Sequence, residues 1–467
     1  MPFTPFFYRT CLALSLLLTG CTSSSDSVPQ PAPPPAPAPP PTAANPQYGT
    51  PFAGVPDRPD AAIYQVNIRA FSRAGNFAGI VARLDSIKAL GVNVVYLMPI
   101  HPVGQLRSVN SPYAVQDYRA VNPEFGTLAD LRTLVDAAHA RGLAVLLDWV
   151  ANHTAWDHAW ITAHPDWYLQ NNGVIQSPPN TTYTDVAQLS FNSAPMRAEL
   201  IAAMKSWVYT ANVDGFRCDY ADPIPVDFWQ QATDTLRRVR THRLLLLAEG
   251  TRAANFSVGF DYNFGFGFYD ALKRVYGASA APATSFDALN ASEYAGATGT
   301  QQVVRYTTNH DVNGSDGTPV ALFGGDAGAM SAFVVAACYQ GVPMVYNGQE
   351  SGQTTPITFP FTSVKVRWDT RPDITRAYKQ LLRARAANAA LRVGTVASLS
   401  TATVCAFTKT LGSAQALVLA NVRNAPTQYA VPAALAGTTW TNALSGGPVQ
   451  VGAQVSLPAY GYLVLVR

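Results

Sequence analysis

Four short segments that carry carboxylates constrain the fold of this chain more than any other feature. In chain order they are Asp148–His153, Gly215–Asp219, Leu244–Glu249 and Thr308–Asp311. Each segment closes or follows a short apolar run rich in strand-forming residues, so each acid is expected at the C-terminal end of a β-strand. Asp219 and Glu249 are separated by about one strand–helix unit, and Glu249 and Asp311 by about two. Acids that recur with this period predict a (β/α)₈ TIM barrel with an active site on one face.

These acids suit the cleavage of a glycosidic bond. Two carboxyl groups that flank such a bond divide the work, because one protonates the leaving oxygen and the other attacks the sugar. Single acids at strand ends are also common as caps and surface charges. That alternative explains any one segment easily, but it explains poorly all four together with the neighbouring Arg217, His153 and His310.

Length and composition narrow the classes of protein. The 467 residues can form one large barrel and a small further domain. Charged residues make up only 13% of the chain, below the usual quarter or so, and such a surface suits a neutral polyhydroxylated ligand. The formal net charge of +3, without a basic run, is too small to favour nucleic acid or an anionic membrane surface as a partner.

The first 21 residues have the pattern of an export signal. Arg9 supplies a positive charge, Leu12–Leu18 form an apolar segment, and Leu18-Thr19-Gly20-Cys21 ends it. This ending resembles a bacterial lipobox, which implies cleavage before Cys21 and a lipid on its thiol. An ordinary signal peptide or a short transmembrane anchor is the alternative, but the apolar stretch is too short to span a bilayer. We therefore expect an exported, lipid-anchored protein of the cell envelope, on its periplasmic or cell-surface face.

A proline-rich tether is predicted from residue 22 to about 56. Nine of the thirteen residues from Pro29 to Pro41 are proline, which favours an extended and semi-rigid chain. Of the remaining cysteines, Cys218, Cys338 and Cys405 each lie in an apolar run. A pair could form a disulfide in an exported protein, but the spacing indicates neither a disulfide framework nor a metal site. We expect three buried thiols.

From about 57 to 390, apolar runs alternate with amphipathic helices, which predicts a parallel α/β domain. Thr127 and Asp130 predict a capped helix that continues to Arg141, and one helix is predicted over Phe77–Leu90. An excursion without clear periodicity occupies about 153–189, and short strands from about 391 to 467 predict an antiparallel β domain. The strands predicted for the barrel are Ile63–Asn67, Val92–Leu97, Leu143–Leu147, one ending at Cys218, Leu244–Ala248, Gly259–Asp261, Val303–Thr307 and Pro343–Tyr346.

The four segments, the barrel order and the excursion after the third strand together resemble the alpha-amylase family, glycoside hydrolase family 13. The resemblance extends from about Pro59 to the C terminus. It implies that Asp219 is the nucleophile, Glu249 the general acid/base and Asp311 the acid that stabilises the transition state. The family's excursion is its domain B.

The resemblance also implies residues that bind substrate. His153 and His310 resemble the histidines that hydrogen-bond the sugar at the cleavage point, and Tyr113 matches the aromatic residue that stacks under it. Taken singly, these side chains are equally well explained as satisfied core histidines and a packed aromatic ring. Arg217 lies two residues before Asp219 on the same strand, so it faces the same side.

Charge assignments follow from these neighbours. Arg217 is expected to keep Asp219 ionised, although alone it is equally explained as a salt-bridge partner, and Asp148 is expected to order Arg217. Glu249 follows four leucines and an alanine. Partial desolvation is therefore expected to raise its pKa towards that of a working acid.

Calcium is the one cofactor that the resemblance implies. In the family, calcium joins the excursion to the barrel through the Asn of the first segment, here Asn152, through an Asp of the excursion, for which Asp185 is the candidate, and through a backbone carbonyl just past the nucleophile. Such oxygen ligands are those that calcium takes. However, the chain reads Tyr-Ala-Asp-Pro at 220–223, where many family members carry Lys-His. This departure concerns both the third ligand and the usual contact to the sugar beyond the cleavage point.

The leading hypothesis is a retaining α-glycosidase that hydrolyses α-1,4-glucosidic bonds in starch-like glucans or maltooligosaccharides, and that acts as a monomer. A glucanotransferase or isomerase with the same residues is the alternative, because the choice of water or sugar as acceptor depends on the shape of the cleft. A catalytically silent glucan-binding barrel is disfavoured, since all three acids are present.

Overall fold

Eight parallel strands close into a barrel in the computed structural model, which describes residues 46–467. Neighbouring strands in the chain are neighbours in the barrel, and the last pairs with the first. All eight C-terminal ends therefore open on one face, and the predicted (β/α)₈ barrel is confirmed. The strands are Ile63–Val66, Val94–Leu97, Ala144–Val150, Gly215–Asp219, Leu245–Ala248, Tyr262–Phe264, Gln302–Arg305 and Val342–Tyr346.

Helices return the chain from the C-terminal to the N-terminal ends of the strands. Leu128–His139 begins at the predicted capping box, in which Thr127 and Asp130 each accept a hydrogen bond from the other's backbone N–H. The α-helices are Ile68–Phe71, Phe77–Val81, Leu84–Leu90, Leu128–His139, Trp160–Ala163, Ala194–Thr210, Val226–Arg237, Ala253–Ser257, Phe266–Tyr276, Ser285–Glu293, His310–Ser315, Pro319–Leu322, Gly325–Cys338, Pro372–Ala387 and Ala389–Val393, and 3₁₀ turns occupy Arg58–Asp60, Pro165–Trp167 and Gln349–Ser351.

Two predicted elements differ from the structure. The helix predicted over Phe77–Leu90 is interrupted where Arg83 leaves helical geometry and places its guanidinium over the ring of Trp368. The sixth strand begins at Tyr262 rather than at Gly259. Gly259 adopts a φ of 95°, a left-handed conformation that ends the preceding helix instead of extending a strand.

The excursion between the third and fourth barrel strands is held by a short antiparallel pair. His153–Ala155 pairs with Val186–Gln188, and the tip forms a second pair between Gln170–Asn171 and Val174–Ile175. The ladder starts directly after the third strand, so the excursion rises from the face where the predicted acids lie.

The C-terminal part forms the predicted antiparallel β domain. Alternate side chains of its strands serve two cores, as the two-residue period of a strand requires: Cys405 and Phe407 join the main core, while Val404 and Ala406 pack in a separate cluster with Trp440. In sheet order the six strands are Thr395–Ser398, Val404–Leu411, Ala414–Asn421, Tyr462–Val466, Thr438–Asn442 and Pro448–Val451, and Thr427–Ala430 pairs with Gln454–Leu457.

The chain before the first barrel strand is already packed on the barrel. The ring of Phe52 stacks on His139, the backbone N–H of Tyr48 donates to the carbonyl of Tyr209 at 2.7 Å, and Val55 is buried. Residues 48–55, which the tether prediction includes, therefore pack against the barrel. The predicted signal segment and Cys21 lie outside the described residues.

The three predicted thiols are free and buried: Cys218, Cys338 and Cys405. Across residues 46–467 no helix combines the length and the apolar character that a membrane crossing would need.

Candidate active site

A cavity of about 680 Å³ opens at the C-terminal ends of the barrel strands and gathers the predicted site residues. Its polar lining contains the acids and rings that the sequence singled out, which are Asp219, Glu249, Asp311, Tyr113, His153 and His310. Its apolar walls are formed by Tyr183, by Tyr220 directly after the fourth strand, by Phe266 at the start of a helix, and by Phe359 and Phe361. Residues as far apart in sequence as Tyr113 and Phe361 thus meet in one cleft.

Arg217 is buried beneath the acids of the cleft and binds three carboxylates. Its Nη1 lies 2.6 Å from Asp148 and 3.0 Å from Asp219, and its Nη2 contacts Glu249. The guanidinium is fully buried, so these charge-assisted contacts are screened little by solvent. The sequence predicted the contact with Asp219 and the role of Asp148, but not the ion pair with Glu249.

The protonation of Asp219 is a balance of opposing effects. Burial raises the pKa of the Asp219 carboxyl well above its ordinary range, the nearby Glu249 adds to that rise, and the Arg217 guanidinium lowers it. Desolvation is the largest of these effects. The expectation that Arg217 simply keeps Asp219 ionised is therefore incomplete, because the guanidinium opposes a larger penalty for the charged form.

Glu249 is held by polar groups despite the leucines that precede it. Besides the ion pair with Arg217, its Oε2 accepts a hydrogen bond from the backbone N–H of Tyr220 at 2.8 Å. Tyr220 follows Asp219 directly and has a φ of 47°, which is uncommon for a residue other than glycine. This conformation turns the Tyr220 N–H towards Glu249, so a strained turn after one acid orients the other.

Both cleft histidines accept a hydrogen bond at Nδ1 from a side-chain amide. Gln65 donates to His310 at 2.8 Å, and Asn152 donates to His153 at 3.2 Å. Burial lowers the pKa of each histidine to about 4, so each ring is neutral at physiological pH. With Nδ1 accepting, Nε2 carries the proton in both rings.

Tyr113 and Asp311 complete the wall around His310. The Tyr113 hydroxyl lies 2.6 Å from His310 Nε2 and 3.1 Å from Asp148 Oδ2, and the two rings stack with centroids 5.5 Å apart. Asp311 Oδ1 lies 3.2 Å from the same Nε2, and its side chain is 58% exposed to the cleft. The side chain of Asn309 caps the helix that begins at His310 and thereby fixes both residues.

The sequence missed three contributors to the site. Tyr96 donates to Asp148 at 2.7 Å, Gln65 contacts His310, and Gln188 contacts Asn152. Gln65 had a visible signal, because it is an amide inside the otherwise apolar strand Ile63–Val66. Gln188 had none.

The residues proposed for calcium do not fit one ion. In the ladder of the excursion Asn152 lies opposite Leu189, whereas Asp185 flanks the far end of the same short pair. Four residue steps along the ladder separate their backbone positions, roughly 13 Å, while ligands of one calcium ion each lie about 2.3–2.6 Å from it. The carbonyl of Ala221, just past Asp219, already accepts from Trp229 Nε1 at 3.0 Å. Within the described part of the chain no cluster of three or more His, Cys, Asp or Glu side chains could hold a metal.

A family model and several curated relatives of this chain indicate the same protein family. The family model described as the alpha amylase catalytic domain matches residues 58–390. The chain is 28% identical to the alpha-amylase MalA of Haloarcula japonica, over 83% of this chain but only 58% of that protein. It is 26% identical to a cyclomaltodextrinase of Geobacillus thermopakistaniensis, over 84% of this chain and 70% of that protein.

One further relative covers less of the chain, and two solved structures share its fold. An alpha-1,4-glucan:maltose-1-phosphate maltosyltransferase of Rhodospirillum rubrum is 34% identical over 43% of this chain and 33% of its own length. An alpha-amylase structure from Lactobacillus plantarum superposes with a TM-score of 0.77 at 26% identity, covering 88% of this chain and 99% of that one. A cyclic alpha-maltosyl-(1→6)-maltose hydrolase from Arthrobacter globiformis shares the fold at 20% identity, with a TM-score of 0.72 over 90% of this chain and all of that one.

Proposed function

The chain belongs to the alpha-amylase family of glycoside hydrolases, and we propose that it hydrolyses α-1,4-glucosidic bonds of starch-like glucans or maltooligosaccharides with retention of configuration. One observation carries the proposal: Asp219 and Glu249 bind the two terminal nitrogens of a single buried guanidinium, at the bottom of a cleft that Asp311 also lines. Two carboxyl groups on one guanidinium are close neighbours, which favours the short spacing of retaining enzymes, about 5–5.5 Å, over the wider spacing of inverting ones.

In the proposed first step, Asp219 attacks the anomeric carbon while Glu249 protonates the leaving glycosidic oxygen. Glu249 then removes a proton from water, which displaces Asp219 and releases a product with the original configuration. Asp219 must be ionised to attack, and Arg217 supplies the charge that opposes its desolvation. Asp311 faces the cleft and is placed to stabilise positive charge that develops on the sugar.

The neutral histidines suit the binding of sugar hydroxyl groups. A protonated Nε2 in a neutral ring donates a hydrogen bond without adding a charge to the cleft, and both histidines line the cavity, where His310 Nε2 lies beside the Tyr113 hydroxyl and Asp311. Tyr113 stacks beside His310 and offers an apolar ring face to the sugar.

Two measurements test this function. Chromatography of the products from soluble starch and from maltotriose identifies the bonds cleaved, and NMR of the first product formed identifies its anomer. Release of α-configured glucose or short maltooligosaccharides is expected. Release of the β-anomer would contradict retention, and no release from either substrate would contradict the substrate class.

Transfer to a sugar acceptor is a second candidate, and the cleft gives it a specific basis. The ring of Tyr220, 37% exposed, and Phe266 line the cavity near Glu249, on the side where the leaving sugar departs. Aromatic faces at that position would hold an acceptor sugar as well as a departing one. The same chromatogram separates the two activities, because transfer from maltotriose yields products longer than the substrate.

We also propose that the protein is exported and anchored through a lipid on Cys21. This rests on the sequence of the first 21 residues, and the packing of Tyr48 and Phe52 is compatible with it. Those residues contact His139 and Tyr209, which precede the N-terminal ends of the third and fourth strands, on the face opposite the cleft. Cys21→Ala should move active protein from the membrane fraction to the soluble fraction, and retention in the membrane pellet would contradict the anchor.

A further inference from the structure

Three oxygen atoms converge on one side-chain nitrogen where the excursion leaves the barrel. Gln188 Nε2 lies 3.0 Å from the backbone carbonyl oxygen of Asn152, 3.1 Å from Asn152 Oδ1 and 3.0 Å from the carbonyl oxygen of Leu189. Asn152 lies just past the third barrel strand, and Leu189 directly follows the returning strand of the excursion. One nitrogen therefore joins both ends of the excursion.

This geometry is that of a small cation surrounded by oxygen ligands. The Asn152 carbonyl also accepts the backbone N–H of Leu189 at 3.1 Å, but three acceptors this close together repel and favour a further donor between them. An amide NH₂ group has two hydrogens that carry partial positive charge. Each hydrogen donates a hydrogen bond to one of the oxygens, and one of the two hydrogens is shared with the third oxygen in a bifurcated hydrogen bond. All three oxygens are neutral, so a neutral donor matches them better than a dication, whose affinity depends on the number of carboxylate ligands.

We propose that the Gln188 amide takes the place of a cation and makes the junction between excursion and barrel independent of metal. The position is distinct from Asp185, which the ladder places at its other end. It also extends towards the cleft, because the Nδ2 of the same Asn152 donates to His153 Nδ1. Gln188 is thus a positioning residue that acts on His153 through Asn152.

The first test compares melting temperatures of the full chain in excess chelator and in millimolar calcium chloride. A ligand that binds only the folded state raises the melting temperature by mass action, so a metal-free junction predicts identical curves. A melting temperature that falls on chelation would overturn the proposal.

Substitutions at Gln188 test the geometry itself. Gln188→Leu removes the donor from Asn152 Oδ1 and from the Leu189 carbonyl, while the Asn152 carbonyl keeps only the Leu189 N–H, so it should lower the melting temperature by a few degrees. Gln176→Leu is the matched control: the Gln176 amide lies in the same excursion and contacts only the carbonyl of Val174, and its loss should change little. Equal melting temperatures for the two variants would contradict the proposal.

Gln188→Asp tests whether the three oxygens form a cation-like position. It replaces the donor with a carboxylate, so the variant should melt lower than the wild type in chelator and recover when calcium is added. The KM should follow the same pattern, rising in chelator and recovering with calcium, because His153 is held through Asn152. A Gln188→Asp variant that is indifferent to calcium in both measurements would overturn the assignment.

Discussion

Gln65 donates a hydrogen bond from its side-chain amide to Nδ1 of His310 at 2.8 Å, and this contact determines which nitrogen of the ring faces the cleft with a proton. The contacts of Nε2, the other ring nitrogen, are consistent with this tautomer. Nε2 lies 2.6 Å from the Tyr113 hydroxyl and 3.2 Å from Asp311 Oδ1, and a carboxylate oxygen can only accept. The Tyr113 hydroxyl in turn donates to Asp148. A residue of the first barrel strand thereby orders donors across the site.

Replacing Gln65 should therefore change the chemistry of His310 and not only its packing. Gln65→Glu places an acceptor at Nδ1, which favours the imidazolium form or the other tautomer and adds a titration to the pH dependence of kcat/KM. Gln65→Leu removes the hydrogen bond that selects the tautomer of His310 and leaves the buried Nδ1 without a partner. The cost of such a group is about 1–3 kcal/mol, so kcat/KM should fall about 10–100-fold.

Nitrogen NMR of the His310 ring and the pH–rate profile are the measurements. Gln349→Leu is the control, because Gln349 is also a buried amide but donates to Thr307 and Tyr378 rather than to a histidine. If the Gln65→Glu profile matched the wild-type profile, the orienting role of Gln65 would be wrong.

Asp219→Asn and Glu249→Gln should each preserve folding and lower kcat by about a thousandfold or more. Both substitutions nearly conserve volume, and each removes one half of the two-step mechanism. Azide offers a chemical check on the roles, because an external nucleophile substitutes for the deprotonated acid/base. Added azide should restore turnover to Glu249→Gln on a substrate with an activated leaving group and give a glycosyl azide of retained configuration, because azide attacks the intermediate on Asp219. Any azide product of Asp219→Asn should instead be inverted, and the opposite pair of configurations would exchange the two roles.

The acids could be located from the sequence because each ends or follows an apolar run that forms a buried strand. The C-terminal ends of all strands in a parallel barrel open on the same face. It placed the sixth strand three residues early, because Phe260 and Asp261 fit a strand pattern while the turn at Gly259 depends on tertiary structure. Periodicity carries no information about which side chains meet across the barrel. The contact of Gln65 with His310 spans 245 positions, and the calcium ligand Asp185 was assigned from residue type alone.

Glu350 should make the stability of the protein depend on pH. Its carboxyl group is buried beneath Tyr64, its Oε2 accepts from the Gly348 N–H at 3.0 Å, and burial raises its pKa to about 7. The pKa of this carboxyl group is higher in the folded state than in the unfolded state. As the pH rises, the group therefore ionises first in the unfolded chain, and this ionisation stabilises the unfolded chain relative to the folded one. Stability is therefore full below about pH 4.5, falls as the pH rises to about 7, and is constant above that, with a total loss on the order of 3 kcal/mol.

Chemical denaturation of the wild type and of Glu350→Gln between these pH values measures the effect. The variant cannot ionise, so its stability should lack this decline. Glu199→Gln, which removes an exposed partner of Arg119, is the control and should retain the wild-type dependence. A Glu350→Gln protein with an unchanged decline would show that another group titrates.

The turn at Tyr220 separates a backbone role from a side-chain role, and two substitutions distinguish them. Glycine adopts a positive φ without strain, so Tyr220→Gly should keep the N–H that orients Glu249 while removing the ring from the cleft. We expect its kcat to stay within several-fold of the wild type, with a higher KM and less transfer to sugar acceptors.

Valine is β-branched and disfavours a positive φ, so Tyr220→Val should displace the Tyr220 N–H as well as remove the ring. The loss of that hydrogen bond to Glu249 should lower kcat about 10–100-fold. Steady-state kinetics on maltotriose, with transfer products counted by chromatography, compares the two. Equal kcat values for the glycine and valine variants would mean that the left-handed turn does not serve Glu249, and unchanged transfer in both would mean that the ring does not hold the acceptor.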